Sequence, residues 1–281
     1  MERIKLMEQH KGATLITGAT GGLGKAFAVE CASRGCDLFL TDRSPALLET
    51  LACGLRNAYG VRVSTFACDL TDPTLREGLF NQLRSDCTRL TMLINVAGTD
   101  YEGLFYDQTF AQIQTILRLN IETTMAMTHE VLPFRDQRAT FRIINVSSMA
   151  AFYPMPVKAT YAASKRFVLD FSLALREEVR DLGVSVTALC PAGMPTNKEC
   201  IDAIEAQGLA GLITTLDAGR VATQTLNAAL AGKPVFIPGW VNRVMHALST
   251  LLPPALIAAL IHSRWSAVHH KRERLDSLHI A

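Results

Sequence analysis

The sequence predicts one α/β domain, a doubly wound parallel sheet, carrying a C-terminal helical extension. Three observations predict it. Short apolar runs alternate with longer amphipathic stretches; the runs are rich in β-branched residues, as parallel strands covered on both faces are; and a glycine-rich turn follows the first run directly. Strand candidates cover residues 13–17, 37–41, 62–67, 91–96, 142–146, 185–189 and 234–237. Helical periodicity covers 24–33, 45–58, 74–84, 110–131, 160–182 and 218–231. Each strand–helix–strand step calls for a right-handed crossover. No linker composition or fixed-period repeat precedes about residue 232, so residues 10–239 form one unit and 240–281 the extension.

Composition narrows the function classes. The 281 residues are 49% hydrophobic and 19% charged, enough for a large core and too apolar for a disordered chain. A net charge of +2 excludes a dedicated nucleic-acid binder. The charge is unevenly placed: Arg243, Arg264, Lys271, Arg272 and Arg274 face only Glu273 and Asp276 in the tail, so the tail carries the excess. The seven cysteines (Cys31, Cys36, Cys53, Cys68, Cys87, Cys190 and Cys200) form no CxxC pair and read as reduced thiols of a cytoplasmic protein. No HExxH occurs and no metal site is expected. The first twelve residues are too polar for a signal peptide, and no apolar run reaches membrane-spanning length.

The first turn reads Thr17-Gly18-Ala19-Thr20-Gly21-Gly22-Leu23-Gly24, spaced G-x-x-x-G-x-G. Glycines let the backbone turn sharply and approach a pyrophosphate, and the helix that follows offers free N–H groups to the anion. A merely tight strand-to-helix connection is the plainer alternative. The second strand ends at Asp42 and Arg43. An acid there accepts hydrogen bonds from adenosine ribose hydroxyls and repels a 2′-phosphate, whereas a guanidinium clamps one. The pair favours NAD, with NADP as the alternative.

Tyr161-Ala162-Ala163-Ser164-Lys165 opens a long helical pattern, and residues four apart share a face. A tyrosine pKa near 10 is too high for proton transfer at neutral pH, and an adjacent ammonium stabilises the phenolate. Ser147 and Ser148 end a strand, where serines also cap ordinary turns. Asn120, between Leu119 and Ile121, is a poor mid-helix residue and points to a local irregularity or a polar network.

Taken in order along the chain, these features resemble the short-chain dehydrogenase/reductase family over roughly residues 10–240. The motifs are Thr17–Gly24, Asp69, Asn95-Val96-Ala97-Gly98, Asn120, Ser148, Tyr161 with Lys165, and Pro191 to Thr196. The resemblance implies a Rossmann-like fold and an NAD(P)-dependent oxidoreductase. It implies that Gly18, Thr20, Gly22, Leu23 and Gly24 hold the pyrophosphate, and that Asp69 and Leu70 approach the adenine. Asn95, Ala97 and Gly98 would line the cleft, Pro191, Gly193 and Thr196 would meet the nicotinamide, and Asn120, Ser148, Tyr161 and Lys165 would form a catalytic tetrad, of which Tyr161 and Lys165 would also contact the cofactor. It also implies a homodimer or homotetramer. Two departures stand out: Val96 replaces the usual second asparagine, and the turn after the sixth strand reads Cys190-Pro191-Ala192-Gly193 rather than Pro-Gly.

The expected reaction is hydride transfer between a nicotinamide and a small-molecule secondary alcohol or ketone. Ser148 would hold the substrate oxygen, Tyr161 exchange its proton, Lys165 hold the ribose, and Asn120 support a water relay. A non-catalytic nucleotide sensor or scaffold on the same fold is the alternative. Apolar residues 149–156 and 209–216 suit a lipophilic substrate or ordinary packing. In the tail, Val241, Val244, Met245, Leu248, Leu251 and Leu252 recur at helical spacing, then Pro253-Pro254 interrupts. Residues 255–261 are apolar, and Arg264, Trp265 and a basic cluster follow. Three readings compete: a cover over the substrate mouth, a subunit interface, or a peripheral membrane anchor.

Overall fold

A computed structural model describes residues 12–86, 88–195 and 214–263. Seven strands form one parallel sheet: β1 (Ala13–Thr17), β2 (Asp37–Asp42), β3 (Val63–Ala67), β4 (Leu90–Asn95), β5 (Phe141–Val146), β6 (Val184–Leu189) and β7 (Val235–Phe236). Their spatial order is β3-β2-β1-β4-β5-β6-β7, so the chain reverses its winding between β1 and β4. A crevice at the C-terminal ends of those two strands is where doubly wound sheets take ligands.

Strand alternation explains the two cores. Ile16, Leu38, Leu40, Ile94 and Ile144 point to one face, against α1 (Gly22–Ser33), α2 (Pro45–Tyr59) and α7 (Ala218–Leu230). Leu15, Phe39, Leu93, Ile143 and Val186 point to the other, against α3 (Pro73–Ser85) and α5 (Thr123–Val131). Sequence neighbours such as Leu38 and Phe39 therefore lie in different cores, which is why the strands read as continuous apolar runs. Helix starts follow local chemistry: Ser44 and Asp72 cap α2 and α3 through their side chains, each followed by a proline in the first turn.

The predicted 110–131 helix is not continuous. α4 (Phe110–Ile116) passes into a π-helical turn, Leu117–Glu122, before α5 resumes. Asn120 lies in that turn, where its side chain satisfies the backbone of another segment. The 160–182 prediction resolves into α6 (Ala159–Glu178) and a short 3-10 turn, Arg180–Leu182, ended by Gly183 in the left-handed region.

The tail begins with α8 (Trp240–Ser249), and residues 254–263 form a second helical segment after the proline pair. The polarity of α8 is inverted. Asn242 is buried and donates to the Thr214 and Pro238 carbonyls, and the His246 ring lies 3.9 Å from the Phe152 ring. Trp240 (70% exposed), Val244, Leu248 (60%) and Leu251 (78%) face outward. Among the described residues no helix is long and apolar enough to cross a membrane.

Candidate active site

Parallel register levels the strand ends on which the site is built. Thr17 of β1 lies opposite Asn95 of β4, and Asn95 opposite Asn145 of β5, so the segments beginning at Gly18 and Val96 leave the sheet side by side while β5 runs one residue further, to Val146. Thr17 ties two of them together: its hydroxyl accepts from the backbone N–H groups of Val96 and Ala97, each at 3.1 Å. Gly18 sits at φ +63°, and a Cβ there would stand 2.9 Å from the Ala97 backbone. Gly24 is tighter still: a Cβ would fall 2.0 Å from the Gly18 carbonyl oxygen. These two positions require glycine for two different reasons, backbone conformation at one and close approach at the other.

The N-terminus of α1 has no side-chain cap and no acidic residue in its first turn, so Gly22, Leu23 and Gly24 present open N–H groups, which fits a pyrophosphate. Asp42 is engaged with the same turn. Its Oδ2 accepts from Thr20 N–H at 2.9 Å and from Thr20 Oγ1 at 2.7 Å, and its Oδ1 accepts from Arg43 N–H at 2.7 Å. Asp69 follows β3. The Thr71 N–H and hydroxyl both donate to its Oδ1 and hold its carboxyl below the usual range, with a smaller push from Arg43. Leu70 is buried, and its carbonyl accepts from Arg76 and Thr123.

Asn95 lies under the cleft. Its Nδ2 donates to Thr128 Oγ1 and Asn145 Oδ1, Asn145 donates on to Ser172, and Asn95 Oδ1 is buried without a partner. Asn120 Oδ1 accepts from Thr99 N–H at 2.8 Å while its Nδ2 donates to the Thr99 carbonyl and to Ser164 Oγ, both at 3.0 Å. Gly98 fits between: a Cβ would lie 3.1 Å from Asn120 Oδ1 and 3.2 Å from Lys165 Nζ.

Lys165 is buried and donates to the Val146 carbonyl at 3.0 Å, and Ser147 Oγ donates to the Lys165 carbonyl at 2.7 Å. These bonds stitch the end of β5 to α6 and bring Ser148 to the same place. Ser148 accepts from Ala150 N–H and starts the 3-10 turn Met149–Phe152. The Lys165 ammonium stands 5.7 Å from the Tyr161 ring centroid. Burial pulls its pKa down to about 8, opposed by Asp100 and Cys190. Pro191 is buried and accepts from Met149 N–H, Gly193 is exposed, and Thr196 lies outside the described residues, as does part of the 209–216 segment.

The structure therefore brings Gly98, Asn120, Tyr161 and Lys165 into one network, with Ser148 beside it. Several of its pairings escape sequence reasoning, although Thr20 itself is a predicted contact of the pyrophosphate. Ser164 holds Asn120, Thr20 holds Asp42, and Lys158 pairs with Asp100 at 2.5 Å and Glu102 at 3.0 Å beside the Tyr161 ring. Lys158 alone had a signal, its position one helical turn before Tyr161. A separate cavity of about 370 Å³, lined by Arg89, Arg135, Asp136, Gln137 and Arg138, lies at the opposite end of the sheet and shares no residue with the site.

A glycine turn at the switch point of a doubly wound sheet and a buried lysine set against a tyrosine are thus the marks of this cleft. The family model of the short chain dehydrogenases matches residues 12–200, and the chain belongs to that family. It is 35% identical over 184 residues to a very-long-chain 3-oxoacyl-CoA reductase of Laccaria bicolor, covering 64% of this chain and 54% of that protein. It is 32% identical over 186 residues to 17-beta-hydroxysteroid dehydrogenase type 3 of Mus musculus, covering 65% and 60%. The chain thus spans just over half the length of the curated relatives it matches. A short-chain dehydrogenase from Sphingobium yanoikuyae, solved in complex with NADPH, superposes with a TM-score of 0.72 at 29% identity, covering 95% of each chain.

Proposed function

We propose that the chain is a nicotinamide-dependent oxidoreductase interconverting a secondary alcohol and its ketone. The observation that carries this reading is the buried Lys165 ammonium fixed by the Val146 carbonyl against Tyr161, with one strand, β4, between it and the strand that leads into an uncapped, glycine-lined helix start. The dinucleotide, when bound, supplies or accepts the hydride. Ser148 orients the substrate oxygen, and Tyr161 gives or takes its proton. Lys165 keeps positive charge beside that phenol. Asn120 contributes by fixing the Thr99 peptide and Ser164, and leads from there toward a solvent proton route.

The reading extends to a lipophilic substrate. Met149, Ala150 and Ala151 form an apolar wall beyond Ser148, and Phe152 extends it. Of the relatives, one is named for a very-long-chain 3-oxoacyl-CoA and another for a 17-beta-hydroxysteroid. A peripheral membrane position suits such a substrate. The outward Trp240, Val244, Leu248 and Leu251 of the tail, with Arg243 among them and the basic residues of the 264–281 sequence behind, support contact with an anionic lipid surface on the cytoplasmic side. Full-length protein is expected to float with anionic vesicles, and the Leu248→Glu/Leu251→Glu variant to stay in the soluble fraction. Equal flotation of both would refute lipid contact through this face. Exposed Leu117, Met125, Phe167 and Leu173 on the outer faces of the helices around Asn120 and Tyr161 support self-association as a homodimer or homotetramer.

NAD is the favoured cofactor because the Asp42 carboxylate is held by Thr20 at the edge of the glycine turn, where its charge repels a 2′-phosphate. Arg43 is the opposing group. Asp42→Asn removes the repulsion and leaves the guanidinium, so the ratio of kcat/KM for NADPH over NADH is expected to rise at least ~10-fold, about 1.4 kcal/mol. The assay is cofactor oxidation with a series of aryl and long-chain alkyl ketones. Cofactor binding without turnover of any ketone would favour the sensor reading, and an unchanged cofactor ratio would remove Asp42 from the discriminating position.

A further inference from the structure

We propose that Lys158, clamped by Asp100 and Glu102, is a second ammonium set against Tyr161, so that this ion triad fixes the pH at which the tyrosine gives up its proton. Lys158 Nζ lies 5.9 Å from the Tyr161 ring centroid, nearly the distance of Lys165 at 5.7 Å. The two lysines approach the ring from successive turns of one helix end, three residues before it and four after. Asp100 stands close enough to both to raise each lysine's proton affinity, and its Oδ1 is buried without a partner. Lys158, largely buried, is held on its charged side by the two carboxylates.

The backbone shows that this cluster is fixed rather than incidental. Val157, just before Lys158, has φ +59°, a conformation unfavourable for a β-branched residue. Its carbonyl accepts from Gly103 N–H at 2.9 Å, so the 99–103 segment and the start of α6 are joined by a backbone bond and two ion pairs. Strain of this kind persists where the surroundings over-determine it, commonly at a working site.

Among the described residues, the charged groups set against Tyr161 come from two segments. Lys165 and Lys158 come from its own helix end, and Asp100 and Glu102 from the segment after β4. Cys190, near Lys165, is pushed up to about 12 by burial and stays neutral. The turn Met149–Phe152, α4 and β6 carry no charge; in the π turn, Arg118 is exposed and Glu122 pairs with Arg76. His246 of α8 faces Phe152, and burial lowers its pKa. The triad has a net charge of −1 with all three groups ionised. Removing Lys158 leaves two uncompensated carboxylates and disfavours the phenolate. Neutralising Asp100 frees the lysine and favours it.

The proposal rests on Tyr161 being the proton donor of the proposed reaction, but its test does not need turnover. The ultraviolet difference between a protein and its Tyr161→Phe counterpart, titrated with alkali, reads the ionisation of Tyr161 directly. Lys158→Met is expected to move the midpoint up, and Asp100→Asn down, each by about one pH unit. The double variant restores a charge of −1 and is expected to return close to the wild type, and Lys158→Arg to match it. Glu102→Gln, which keeps the Asp100 pair, gives a smaller downward shift and serves if Lys158→Met does not fold. The same shifts are expected in the pH profile of ketone reduction. Midpoints that stay at the wild-type value, or move in one direction for both charge removals, overturn the proposal. Shifted midpoints in a protein that reduces no ketone would overturn the proposed activity and leave the triad standing.

Discussion

Tyr161→Phe is expected to lower kcat for ketone reduction by about 10²–10⁴-fold, the usual contribution of a positioned acid or base. The substitution keeps the aromatic ring and removes only the hydroxyl, so the ring's contacts with Lys158 and Lys165 survive and the folded state is retained. Binding of the dinucleotide, read by fluorescence titration with NADH, should change little, because the glycine turn and Asp42 are untouched. Loss of kcat with preserved binding is the mark of an interaction made in the transition state. A variant that keeps near-wild-type turnover would remove Tyr161 from the chemistry. The reaction should also weaken as pH rises through about 8, where the buried Lys165 loses its proton and the phenol loses its nearest cation. The sign is fixed by burial: the ammonium is the disfavoured form there, so the charge is present below that pH and absent above it.

Gly24→Ala is expected to abolish tight cofactor binding by a different route. The new Cβ would lie 2.0 Å from the Gly18 carbonyl oxygen and 2.9 Å from Ala19 Cα, both of them backbone atoms that cannot swing aside. The turn must open. That moves the N–H groups of α1 away from the pyrophosphate position and loosens the packing of Leu23 and Phe27 into the first core. A weakening of NADH binding by more than ~10-fold, together with a loss of about 1–3 kcal/mol in stability, is the expected result in titration and thermal melts. Gly21→Ala is the control. Its φ of −72° is ordinary, and its nearest Cβ contact, again the Gly18 carbonyl, stands at 3.4 Å. If the two variants behave alike, the clash is not what makes position 24 special.

The fold was largely legible because its signals are local and repeated. Ile16, Leu38, Leu40 and Ile94 announce strands by composition, and Thr17–Gly24 announces a turn by its glycines. Asn120 announced an irregularity by being out of place in an apolar helix, and the π turn is what that mismatch becomes. What stayed hidden depends on groups far apart in the chain. Thr20 and Asp42 meet across 22 residues, and Asp100 and Lys158 across 58. No periodicity marks either pair. The tail shows a different limit. Spacing identifies which face of α8 is apolar, and the usual expectation turns that face inward. Here Asn242 and His246 find better partners inside, a pair of carbonyls and the Phe152 ring, and the apolar stripe is left outside.

The pair of hydrogen bonds between Asn120 and the Thr99 peptide has a consequence for redesign. Thr99 is gripped at both its N–H and its carbonyl, and four residues later the same segment is fastened to the helix that bears Tyr161. The 99–103 segment and the helix start that bears Tyr161 are thus held together as one piece. Substitutions at residues 99–103 should therefore disturb the setting of Tyr161 and, with it, turnover in the proposed reaction.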